Sequence, residues 1–137
     1  MKLTIMLVDD SLIMLKKLEM MVRELGHEVV YVCKTGLEAV TAYPTIKPHL
    51  VLMDITMPDM DGIEATQRIV ATDPHAKVIM VTSHGQQAMI VQSLEVGARG
   101  YVLKPVVKEK LAAMIDRALK PVQYTAPKPV ERVWVND

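Results

Sequence analysis

The chain is predicted to fold as a doubly wound α/β sandwich, with five parallel strands and five helices packed on the two faces of the sheet. Two observations carry that prediction. Five short apolar runs recur along the chain: TIMLV (4–8), EVVYVC (28–33), LVLM (50–53), KVIMV (77–81) and GYVL (100–103). They are continuous rather than alternating, which suits strands buried on both faces of a parallel sheet. Between them lie segments with helical spacing, and strand alternating with helix five times is the pattern of this architecture.

In chain order, Leu12, Leu15, Leu18, Val22 and Leu25 mark one face of a first helix, with Gly26 placed as the left-handed residue after its end. Leu37, Val40 and Tyr43 mark a second helix. A third, carrying Ile63, Arg68 and Ile69, starts after Gly62, and Asp61 is placed to cap it. Residues 86–96 form a fourth, closed by Gly97, and Leu111, Met114, Ile115 and Ala118 mark a fifth. Right-handed crossovers then bring the C-terminal ends of all the strands to one edge, where such folds build their sites. Residues 121–137 contain three prolines and no clear period, and read as a Pro-containing tail or linker after a single domain over 1–120, with VWV able to dock.

Length and charge exclude several classes. A chain of 137 residues suffices for one domain with a real core. Lysine plus arginine balance aspartate plus glutamate at 16 each, so nothing favours nucleic-acid binding by this chain alone. The single cysteine, Cys33, can form no internal disulfide and agrees with a reducing, cytoplasmic setting. The apolar start is cut short by Asp9 and Asp10, which is too early for a signal peptide, and no stretch approaches a membrane span.

The residues that follow the apolar runs carry the chemistry. After the first come Asp9 and Asp10, after the third Asp54, after the fourth Thr82 and Ser83, after the fifth Lys104 and Pro105. Two unit charges about 4 Å apart repel by roughly 4 kcal/mol at an effective dielectric near 20. Three carboxylates gathered on one rim therefore need a cation, and an all-oxygen donor set suits Mg2+. Mg2+ beside an exposed aspartate neutralises phosphoryl oxygens while that aspartate attacks phosphorus to give an acyl phosphate. Lys104 supplies a second positive point for those oxygens, and Thr82 a hydroxyl donor.

The motifs VDDS (8–11), MDITMPDMDG (53–62), VTS (81–83) and GARGYVLKP (97–105) together resemble the receiver (CheY-like) domain of two-component response regulators. The likeness spans residues 3–119. It implies a flavodoxin-like sheet of order 2-1-3-4-5 and a phosphorylation-activated signalling switch in a phosphorelay, fed by a histidine kinase. Asp54 is then the phosphoacceptor. Asp9, Asp10, Asp54 and the backbone carbonyl of Thr56 hold Mg2+, for which Mn2+ can substitute. Thr82 and Lys104 bind the phosphoryl group, the Lys104–Pro105 peptide is cis, and Thr82 with Tyr101 forms the switch. Output is by docking of a downstream protein on the face made by the fourth helix, fifth strand and fifth helix, with the chain a monomer or a phosphorylation-dependent dimer. No dedicated enzyme activity is implied beyond self-phosphotransfer and autodephosphorylation. The segment SHGQQAMIVQSLEVGARGYVLKP looks like single-domain chemotaxis regulators of the motor-binding kind. Thr56 and His84 occupy the two positions that tune dephosphorylation, where the best-known chemotaxis regulators carry an amide and an acid.

Plainer and rival readings stand beside these. Asp9 or Asp10 can cap the first helix. A calcium loop aligned on Gly62 puts Met57 at its first ligand and Arg68 where the bidentate glutamate belongs, so Asp59 and Asp61 read instead as loop residues, shaped by Pro58 and Gly62. His84 reads as a loop residue rather than a metal ligand. The methionines read as core filler. A haloacid-dehalogenase-like phosphatase needs its nucleophile after the first strand in an Asp-x-Asp pair, whereas adjacent aspartates stand there. A receiver fold without chemistry is disfavoured because every expected site residue is present. A receiver domain cut from a longer regulator with its own output domain is the alternative to a stand-alone switch.

Overall fold

The structure, a computed structural model, describes residues 1–83 and 85–120. Strands and helices alternate: β1 (Thr4–Val8), α1 (Leu12–Glu24), β2 (Glu28–Cys33), α2 (Gly36–Ile46), β3 (Leu50–Asp54), α3 (Gly62–Thr72), β4 (Val78–Thr82), α4 (Gln87–Glu95), β5 (Gly100–Leu103) and α5 (Lys108–Leu119). The apolar runs coincide with these strands to within one residue at each end. Asp54 and Thr82 are the last residues of their strands rather than the first beyond them. The Pro-containing segment 121–137 and its VWV motif lie outside the described residues.

All four ladders are parallel and the order is β2-β1-β3-β4-β5. The chain leaves β1 for the β2 edge, then returns past β1 to β3, so the direction of winding reverses between β1 and β3. A sheet that reverses there opens a crevice beyond the carboxyl ends of those two strands.

Period-2 side-chain direction divides the apolar runs between two cores. Ile5, Leu7, Leu50, Leu52, Ile79 and Val81 pack with Leu15, Leu18 and Val22 of α1 and with Leu111 and Ile115 of α5. Met6, Val8, Val51, Met53, Val78 and Met80 face the other side, against Ala39 and Tyr43 of α2 and Ala65 and Ile69 of α3. Methionines 6, 53 and 80 are thus core residues, whereas Met20 lies exposed on α1. Burial on both faces holds for β1, β3 and β4 but not for the edges. Tyr31 and Val32 of β2, and Tyr101 and Leu103 of β5, are exposed, because an edge strand has fewer helices to cover it.

Local signals set the joints. Neither Asp9 nor Asp10 caps α1. Ser11 does, its hydroxyl accepting the Met14 N–H at 3.2 Å. Asp9 Oδ1 accepts the Ser11 N–H at 2.8 Å and so braces the cap from one step back. Gly26 follows α1 with φ +88°, and Asp61 caps α3 by accepting the Glu64 N–H at 2.8 Å. Arg68 lies on the solvent side of α3, paired with Glu64 at 2.6 Å, while Ile69 faces the core.

Gly62 has a sharper requirement. Its N–H donates to the Ile55 carbonyl at 2.8 Å, folding the loop back onto the end of β3. A Cβ there would stand 2.0 Å from the Asp54 carbonyl oxygen, backbone that cannot give way. At Gly26 a Cβ would meet nothing within 4 Å, so only the positive φ resists substitution. Urea denaturation is expected to show Gly62→Ala losing about 1–3 kcal/mol through forced displacement of the loop, and Gly26→Ala losing about 1–2 kcal/mol from left-handed strain alone. A Gly62→Ala variant as stable as wild type contradicts the close approach.

Candidate functional site

Four strand ends supply the side chains at the crevice: β1 with Asp9 and Asp10, β3 with Asp54, β4 with Thr82 and β5 with Lys104. Parallel register sets their levels, with Asp54 opposite Val81 and Thr82 opposite Leu103. The Lys104 N–H donates to the Thr82 carbonyl at 2.7 Å, which brings the lysine round to the rim, and the Lys104–Pro105 peptide that follows is cis.

The Lys104 ammonium donates to Asp54 Oδ1 at 3.2 Å and lies equally close, 3.2 Å, to Asp9 Oδ2. Both carboxylates are buried, at 0 % exposure for Asp9 and 5 % for Asp54, while Asp10 is exposed. Oxygens of Asp9, Asp10 and Asp54 all lie within 4.8 Å of one another. Burial, together with the charge of Asp9, pushes the Asp54 carboxyl up to about 6 despite the opposing pull of Lys104. Burial lowers the proton affinity of Lys104, but Asp54 and Asp9 outweigh it and leave the ammonium firmly charged.

The charges of the cluster do not balance. Three carboxylates facing one ammonium leave two uncompensated negative charges, which one divalent cation neutralises. The buried Asp9 Oδ2 is held by the Lys104 ammonium at 3.2 Å and accepts no further hydrogen bond among the described residues. An all-oxygen cluster with negative charge left over fits a hard cation.

The remaining predicted residues are distributed unevenly. Thr82 is buried, and its hydroxyl donates at 2.7 Å to Gln86 Oε1 rather than to any carboxylate. Thr56 lies exposed in the loop after β3, and its hydroxyl accepts from Gln86 Nε2 at 2.8 Å. Tyr101, 37 % exposed, stands at the lip of a groove of about 580 Å³ with Leu103, Pro105, Val107 and Lys110. His84 lies outside the described residues. Asp59, with φ +67°, and Asp61 serve the loop and the α3 cap and do not join the carboxylate cluster. Cys33 is buried beside Asp9, its carbonyl accepting the Asp9 N–H at 3.0 Å, and burial pushes its thiol up to about 12, so it is unreactive. Gln86 is the residue the sequence reading missed. Its only sequence signal was an amide four positions beyond Thr82, within side-chain reach of that hydroxyl.

Residues 5–116 match the family described as the response regulator receiver domain. The chain belongs to the response regulator receiver family. A chemotaxis protein CheY from Listeria monocytogenes is 41% identical over 118 residues, spanning 86% of this chain and 99% of its own length. The CheY of Thermotoga maritima is 36% identical, over 85% of this chain and 97% of its own. Among solved structures, a CheX–CheY–BeF3–Mg2+ complex from Borrelia burgdorferi contains a chain with TM-score 0.82 and 29% identity, covering 86% of this chain and 90% of that one. The fold of this receiver is therefore the CheY-like five-stranded sheet. Its function class is the phosphorylation-activated signalling switch. Receiver domains bind Mg2+ at an acidic pocket and act with histidine kinases and downstream proteins, and this one has the acidic pocket. Among the described residues, no helix is long and apolar enough to cross a membrane.

Burial of Asp54, with the charge of Asp9 beside it, predicts a stability cost in the receiver without metal. The folded Asp54 carboxyl holds its proton more tightly than an unfolded one, with its value moved from 3.8 to about 6. The penalty is thus absent below the unfolded value and complete above the folded one. In chelator, Asp54→Asn is expected to raise the melting temperature by about 2–8 °C at neutral pH. The gain should vanish below about pH 4, where both states are protonated. A variant that melts lower than wild type throughout contradicts that cost.

Proposed function

We propose that this receiver takes a phosphoryl group from a histidine kinase onto Asp54. The observation that carries the reading is the Lys104 ammonium 3.2 Å from both Asp54 and Asp9, at the edge where the sheet winding reverses. An Asp54 oxygen attacks the phosphorus of a phosphohistidine, the P–N bond breaks, and its electron pair returns to the imidazole nitrogen as that nitrogen takes up a proton. Asp54 becomes an acyl phosphate carrying about two negative charges. Lys104, already beside the acceptor, shifts its ion pair to the new oxygens, and the Thr82 hydroxyl donates a hydrogen bond to them. Asp9, Asp10, Asp54 and the Thr56 carbonyl would hold Mg2+, with Mn2+ as a substitute. When bound, the ion supplies charge neutralisation for the transferring phosphoryl group.

The new charge biases a pre-existing equilibrium. Tyr101, now exposed, is the residue whose inward turn reports it, on the face formed by α4, β5 and α5 where a downstream protein docks. A bias of about 5.5 kcal/mol suffices to carry such a switch from 1:99 to 99:1. Chemotaxis is the pathway we favour, because the CheY relatives match this chain over 97% to 99% of their own length. The Borrelia burgdorferi complex of a similar CheY with CheX, BeF3 and Mg2+ supports both the ion and a protein partner.

Incubation with acetyl phosphate or a phosphorylated histidine kinase, in the presence of Mg2+, is expected to place one phosphoryl group on the intact protein. Asp54→Asn should abolish the label, and Lys104→Ala should slow its formation by roughly 10- to 100-fold. Chelation should stop it. Label that survives Asp54→Asn unchanged contradicts the assignment of the acceptor.

A further inference from the structure

Gln86 occupies the residue before α4, the position from which Ser11, Thr35 and Asp61 cap α1, α2 and α3 with their side chains. Its backbone carbonyl starts α4 by accepting from Met89 and Ile90 at 3.0 and 3.2 Å, yet its side chain caps nothing. The carboxamide turns back to the strand ends instead. Oε1 accepts from the Thr82 hydroxyl at 2.7 Å and from the Ser83 N–H at 3.1 Å. Nε2 donates to the Thr56 hydroxyl at 2.8 Å, which joins the loop after β4 to the loop after β3. A half-buried amide that leaves its helix end uncapped to make three bonds elsewhere is held there by those bonds.

We propose that Gln86 is a positioning residue that latches the resting receiver, tying the Thr82 hydroxyl to Thr56 and keeping it off the phosphoryl position at Asp54. The proposal rests on Asp54 being the acceptor. The Thr82 hydroxyl has one proton, and in this structure it goes to Gln86. Thr82 can donate to a phosphoryl oxygen only once that bond is broken. Withdrawal of the Gln86 carboxamide would break it together with the bonds to the Ser83 N–H and to Thr56, and so would couple phosphorylation to release of the Gln86 end of α4. The latch opposes phosphorylation, and it passes the state of Asp54 to the α4 side of the docking face. It also gives Thr56 a role through its side chain, separate from its backbone carbonyl.

The test is a double-mutant cycle on the full chain with acetyl phosphate and Mg2+ as probes. Gln86→Leu keeps the bulk and removes all three bonds, and is expected to form phosphoprotein roughly three- to tenfold faster than wild type. Thr56→Val removes one bond from the other side and should act in the same direction, less strongly. It should have no further effect in the Gln86→Leu background. Without a phosphodonor, exchange of the Ser83 amide proton should speed up in Gln86→Leu by a similar factor. A Gln86→Leu rate equal to or below wild type overturns the latch, as do fully multiplicative effects in the double variant. Should Gln86→Leu fail to fold, Thr56→Val alone decides, and an unchanged or lower rate there overturns it. Wild type that takes no label overturns the assignment of Asp54, and the latch with it. Labelled wild type with an unchanged Gln86→Leu rate overturns the latch alone.

Discussion

One ammonium between two buried carboxylates is the interaction on which the rest of the site depends. Without Lys104, Asp9 and Asp54 would face each other in a crevice that gives them little solvent, and the cost of that repulsion is several kcal/mol. Lys104 lowers the cost without removing it. Asp54 still holds its proton more tightly than an ordinary carboxyl, through burial and the charge of Asp9. The cluster therefore keeps more negative charge than Lys104 offsets, which fits a divalent cation. The sheet exists around this constraint. Parallel strands with helical crossovers carry Asp54 and Lys104, 50 positions apart, to the same edge of the sheet.

Much of this arrangement was legible before any coordinates. A continuous apolar run needs two covered faces, and β1, β3 and β4 have them. The residues ending those runs then had to meet at one rim, so Asp9, Asp10, Asp54, Thr82 and Lys104 could be named from position and chemistry together. Gly62 was also readable as a loop residue. The reason it must be glycine, a Cβ 2.0 Å from the Asp54 carbonyl oxygen, was not.

What stayed hidden depends on partners rather than on composition. The apolar runs alone do not mark β2 as an edge strand; the strand order does, and Glu28 and Tyr31 within EVVYVC agree with it. From the sequence, Asp9 or Asp10 was the expected cap of α1. Asp9 is instead drawn toward Lys104 and the Ser11 N–H, which leaves the cap to Ser11. Gln86 was invisible because glutamine carries no charge or periodicity that marks a site. Its importance arises from a side chain that reaches back four residues, and sideways to a loop 30 residues upstream.

Three carboxylates facing one ammonium fit one divalent cation. The most direct measurement is the melting temperature of the receiver as a function of Mg2+ concentration, for wild type and for Asp9→Asn. Binding to the folded state alone raises stability by about 2.7 kcal/mol at 100 times the dissociation constant. Wild type is predicted to melt progressively higher as Mg2+ rises through the millimolar range, while Asp9→Asn stays nearly flat. A flat wild-type response, or an equal rise in both proteins, contradicts the account.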